Sequence, residues 1–179
     1  MCGCDSVCVR SVDLDTAYRQ QARESKGLSV LQPFALLLAL GLKTFEGRPR
    51  AVGKLDAEGQ WIWVCAGATL MPFPELAAAV HSQGVSLTDP TLLSFCGVSE
   101  VTAENYGACF KTGCCVGRVL FGARTVRSHT FPFARAGHDV IYPVLQSAVL
   151  PHEHFFPASG NTGNTIEVGG YRALLQALQ

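Results

Sequence analysis

Gly113 to Arg124 reads Gly-Cys-Cys-Val-Gly-Arg-Val-Leu-Phe-Gly-Ala-Arg, and the texture of the chain changes there. Upstream the local signals are helical. From Gly113 onward glycine, valine, phenylalanine and arginine replace the helix formers, and the runs 116–124, 125–133 and 139–145 have the composition of strands in an antiparallel sheet. Pro132 and Pro143 then belong at strand ends, edges or bulges, because proline cannot donate to a ladder.

Working back from Gly113, Asp13 caps a helix expected over 14–26, with Gly27 at its C-terminal stop. Ser29-Val30-Leu31-Gln32 has the form of a capping box, with Pro33 still in the tolerated first turn. It opens a stretch through Phe34, Leu37, Leu38, Leu40 and Leu42 that is apolar on nearly every face, the mark of a central core helix. Gly47-Arg48-Pro49 breaks it. The runs 50–55 and 60–66 flank Asp56-Ala57-Glu58-Gly59 and read as a β-hairpin, with Trp61 and Trp63 on one face. Two further helices begin at Met71-Pro72-Phe73-Pro74 and at Asp89-Pro90-Thr91, the first stopping at Gly84, and a helical turn or two follows over 102–110. Beyond the strands, 151–165 is a loop rich in Pro, Gly, Ser, Asn and Thr, and a short helix over 171–178 closes the chain. Helices first and sheet later is an α+β arrangement. The expectation is one domain over 1–179: an N-terminal helical part with a β-hairpin over about 13–112, an antiparallel sheet over about 113–168, and a short C-terminal helix over about 170–178.

Hydrophobic residues make up 48% of the chain and charged residues 16%, and mean hydropathy is +0.22. That apolar balance points to a large core or to apolar surface shared with a protein partner or a second copy. The longest apolar run, Leu28 to Leu42, is interrupted by Gln32 and Pro33 and falls short of the ~20 residues that cross a bilayer, so no membrane span is expected. Net charge is zero, which removes any global electrostatic pull toward nucleic acid or membrane. Locally the balance differs. No acidic residue lies between Glu104 and Asp139, whereas Lys111, Arg118, Arg124, Arg127 and Arg135 do.

Eight cysteines are present, and residues 1–10 lack the basic start and apolar run of a secretory signal. A cytoplasmic address with reduced thiols follows as the expectation. Three chemistries are then open. In the first, Cys109 is a nucleophile, His138 its base and Asn161 the orienting amide. A thiol on the helical part and an imidazole on the later sheet resembles the layout of papain-like hydrolases, although the interval between Cys109 and His138 is short for that fold. In the second, Cys2, Cys4 and Cys8 join His152 and His154 around a structural zinc, but paired C-x₂₋₄-C knuckles are missing. In the third, Arg118, Arg124, Arg127 and Arg135, interleaved with Phe121, Phe131 and Phe133, bind single-stranded nucleic acid or another anion. Each has a plainer reading: cysteines packed as small hydrophobes, loop histidines without metal, arginines solvating a sheet face.

There is no phosphate-loop motif, no G-x-S-x-G and no recognisable pair of catalytic carboxylates. The terminal Leu178-Gln179 matches the end that viral 3C-like proteases leave, which suggests a viral accessory protein. The role expected first is non-catalytic: an intracellular interaction or assembly protein needing no cofactor, with the hydrolase and the nucleic-acid binder as alternatives.

Overall fold

The computed structural model describes residues 27–56, 61–126 and 136–157. The expected helix over 14–26 and the C-terminal helix lie outside these, as do Cys2, Cys4, Cys8, Arg127, Arg135 and Asn161.

The described chain begins with a strand, β1 (Gly27–Val30), followed by helix α1 (Phe34–Ala39), strand β2 (Phe45–Arg48), a 3₁₀ turn at Gly53–Leu55 and strand β3 (Trp61–Ala66). Three short helices come next, α2 (Phe73–His81), α3 (Pro90–Cys96) and α4 (Tyr106–Cys109). The rest is strand: β4 (Cys114–Phe121), β5 (Thr125–Val126), β6 (Val140–Val149) and, after a 3₁₀ turn at His152–His154, β7 (Phe156–Pro157). Together they make a seven-stranded mixed sheet in the order β1-β3-β4-β6-β2, with β5 on β6 and β7 on β4. β1 runs parallel to β3, and every other pairing is antiparallel.

The class remains roughly α+β, but helices first and sheet later is wrong. Strands β1, β2 and β3 all precede residue 113. The capping-box serine, Ser29, lies in β1, paired with Cys65 of β3. Gly47 and Arg48, expected to break a helix, belong to β2, paired with Ile141 and Val140. No hairpin joins 50–55 to 60–66: the first run carries the 3₁₀ turn, and β3 lies between β1 and β4. In each case long-range pairing overrides a local signal.

Strand β6 makes the sheet curl. Its first half, Val140–Pro143, pairs with β2, and its second half, from Val144 to Val149, pairs with β4. The register shifts between Leu120 and Phe121, whose partners are Gln146 and Val144, so Leu145 is the extra residue of a bulge just after Pro143. The first and last strands of the order thereby approach each other, and Arg48 Nη2 of β2 donates to Ser29 O of β1 at 3.4 Å.

Inside the curl sits α1. Ala35, Leu38 and Ala39 pack with Val64, Val116, Val119 and Tyr142 of the sheet. Leu36 and Leu37 pack the other way, with Leu76, Val80, Leu92 and Phe110 of the helical layer. No serine caps this helix. Gln32, fully buried, accepts the Leu36 N–H through Oε1 at 3.2 Å and donates through Nε2 to Lys111 O at 2.7 Å. The outer helices follow their sequence signals more closely. α3 starts at Asp89, whose carboxylate accepts the N–H groups of Thr91 and Leu92, and ends at Gly97 with φ +67°.

Close approach between α1 and β4 rests on Gly117. A Cβ there would meet Ala148 O of β6 at 2.5 Å and the Ala39 Cβ of α1 at 2.8 Å. Gly117→Ala is expected to cost about 1–3 kcal/mol by forcing helix and sheet apart, read as a lowered urea midpoint. An unchanged midpoint means that the packing has slack the structure does not show.

Candidate functional site

The curl stops short of closure, and the gap between the edges of β1 and β2 is a cleft of about 630 Å³. The backbone pairing tells which groups face it. Val30 O accepts from Gly67 N at 2.9 Å on the β3 side, so Ser29 O points into the gap. Thr44 O accepts from Val144 N at 2.8 Å on the β6 side, so the carbonyls of Phe45 and Gly47 point outward as well. All three outward carbonyls are taken by side chains. Arg48 donates to Ser29 O, Lys43 Nζ donates to Phe45 O, and His138 Nδ1 lies 2.7 Å from Gly47 O. A carbonyl can only accept, so this last contact puts a proton on His138 Nδ1.

Behind these caps lies a charge cluster. Glu46 takes Lys43 Nζ at 3.3 Å and Arg48 Nη2 at 2.9 Å. Lys43 is 6% exposed and sits 4.4 Å from the centre of the Phe45 ring. Burial pulls its pKa below the ordinary lysine value, and the adjacent Glu46 carboxylate opposes that pull. Both contacts of Arg48 leave from Nη2, and its Nε is buried without a hydrogen-bond acceptor. The remaining wall is apolar, formed by Val30, Leu31, Phe34, Met71 and Ala79 with Phe45.

The candidates drawn from the sequence are scattered. Cys109 is 2% exposed in the helical layer, beside Cys96, whereas His138 lines the cleft. Among the described residues no hydrogen bond joins the two. Burial, with Cys109 adding to it, pushes the Cys96 thiol up to about 12. Burial also raises Cys114 to about 11 and Cys115 well above the ordinary range, and the Cys115 sulfur lies 3.6 Å from that of Cys65. Desolvation holds these groups as thiols.

Arg118, expected on a solvent face with the other arginines, is 1% exposed, with its guanidinium 4.4 Å from the Trp61 ring centre. Arg124 is exposed and pairs with Asp56 at 3.4 Å. His152 and His154 lie on one 3₁₀ turn. Among the described residues no group of three His, Cys, Asp or Glu side chains is placed to hold a metal ion. The sequence reading missed Lys43, Glu46 and Arg48. Their signal was short: Phe45-Glu46-Gly47-Arg48 places a charge at every second position, which is the period of a strand, and Lys43 lies outside that alternation.

Neither any protein-family model nor any curated protein matches the chain. Among the described residues no helix is long and apolar enough to cross a membrane.

His152 packs edge-on against Phe95 and Phe155, with centroids 4.5 and 5.0 Å away. Burial, reinforced by Lys111, lowers its pKa from 6.5. As pH falls through 6.5 the unfolded chain therefore binds the proton first, so stability present above 6.5 is lost as pH drops toward the folded value. Urea midpoints measured across that window should fall more steeply for the native protein than for His152→Gln. Parallel profiles would show that this imidazole does not titrate as its packing requires.

Proposed function

We propose that this protein works by binding, as a non-catalytic interaction protein, and that the seam between β1 and β2 is its recognition site. The observation that carries the reading is the state of the polar groups there. Glu46 is held by Lys43 and Arg48, and the edge carbonyls are held by Lys43, Arg48 and His138, so the charged wall is fixed in place beside an apolar one. A cleft of this size with a few convergent polar groups is the usual form of a ligand site. Leu31, 44% exposed, stands in its wall and adds apolar surface for a partner. Val126 and Leu145, exposed by 73% and 62%, are further apolar points on β5 and β6 that self-association or a protein partner would cover.

The Cys96, Cys114 and Cys115 thiols, held protonated by desolvation, support binding over thiol chemistry, since a cysteine nucleophile must be a thiolate within reach of a base. The reading includes a reducing, cytoplasmic setting, in which Cys65 and Cys115 stay unlinked.

Two measurements test it. Screening a chemically diverse fragment set by amide NMR should give hits that converge on Val30, Phe34, Arg48 and Met71, and hits confined to the surroundings of Cys109 would sink the proposal. Iodoacetamide should alkylate Cys96, Cys114 and Cys115 roughly a hundredfold more slowly in native protein than in urea, because their thiolate fraction is depressed. A single cysteine reacting faster folded than unfolded would point back to an enzyme.

A further inference from the structure

We infer that the ligand of the seam cleft is a monocarboxylate with an apolar tail, its carboxylate on Arg48 and its tail along Val30, Phe34 and Met71. The inference rests on the seam being the binding site and adds the chemistry of what it takes.

Charge comes first. The cleft wall contains two cationic side chains, Lys43 and Arg48, and one carboxylate, Glu46. The excess is positive, so an anion completes it. The direction of approach is also set. Arg48 spends Nη2 on Glu46 and Ser29 O, and its Nε has no acceptor although it is buried. That edge of the guanidinium, Nε with Nη2, is therefore closed, and Nη1, which the structure neither encloses nor bonds, is left to give a carboxylate oxygen a charge-assisted hydrogen bond. Glu46, 2.9 Å from Nη2, disfavours a second negative charge at the same guanidinium, which selects a carboxylate over a phosphate dianion.

The sheet edges decide between a small molecule and a strand. A peptide adding to β1 or β2 would bond its N–H groups to the outward carbonyls of those strands. Ser29 O, Phe45 O and Gly47 O already accept from Arg48, Lys43 and His138. Strand addition would have to displace three donors, two of them charged. An aliphatic tail needs no backbone partners and gains from the apolar wall alone.

The experiment is a calorimetric and NMR titration of the full chain with decanoate, and with decanol as its uncharged match, at neutral pH. Decanoate should bind at least about tenfold more tightly than decanol, shifting the amides of Val30, Phe34, Arg48 and Met71. Arg48→Gln should bring the two ligands together. Because that change also loosens Glu46, a second variant, Ala79→Phe, fills the apolar wall and leaves every charge in place. It should abolish binding of both ligands while keeping the native melting temperature. Equal affinities for decanoate and decanol at the seam overturn the carboxylate assignment and leave the seam as a binding site. Failure of both ligands to perturb the seam overturns the inference, and if the fragment screen also bypasses the seam, the binding reading falls with it.

Discussion

Helix α1 has six residues, and Ala35 through Ala39 are all buried. A helix so short gains little from its own hydrogen bonds and is held by what packs around it. Here the sheet covers one face and the helical layer the other. Gln32 ties its start to Lys111, at the far end of the helical segment, and a glycine on β4 lets its backbone come close. To wrap a rod of this kind a sheet has to bend, and β6 does so by changing partners at Pro143. The bend brings β1 opposite β2, so the cleft is a geometric result of burying α1.

A sheet that bends this far has two ways to treat its edges. Closing into a barrel removes them, and leaving them bare invites other strands to add. This chain does neither. It places a lysine, an arginine and a histidine over the outward carbonyls, which satisfies the acceptors and blocks edge pairing. The cations in turn need a counter-charge, because an uncompensated ammonium as buried as Lys43 would be costly. Glu46 supplies it from the same strand. Edge protection and the polar wall of the cleft are therefore one structure seen from two sides.

How much of this was legible in the sequence depended on the range of the signal. The starts of α2 and α3 were readable because proline in the first turn and the Asp89 cap act within a few residues, and the structure shows Asp89 on the Thr91 and Leu92 amides. β4 and the first part of β6 were readable from β-branched and aromatic content, whereas β6 runs on to Val149 and β7 lies in a stretch that reads as a loop. β1 and β2 were not. Ser29 and Gln32 look like a capping box, and Gly47-Arg48-Pro49 looks like a break, until Cys65 and Ile141 are placed beside them. The site suffered most: Lys43, Glu46 and Arg48 are neighbours in sequence, but Ser29 and His138 join them only once distant parts of the chain are placed beside β2. Cysteine content drew attention to chemistry, yet Cys65, Cys109 and Cys115 are packed as small apolar groups.

The same contrast separates the two kinds of polar residue in this fold. Arg118 is buried against Trp61 in the middle of the sheet, where its strand has neighbours on both sides and nothing can approach. Arg48 belongs to an edge strand, and its side chain is 24% exposed, with Nη1 bonded to nothing in the protein. An arginine in the first position contributes to packing; one in the second has hydrogen-bonding capacity beside open space. Position in the strand order, which no residue count reveals, therefore distinguishes the arginine that holds the sheet together from the arginine that can hold something else.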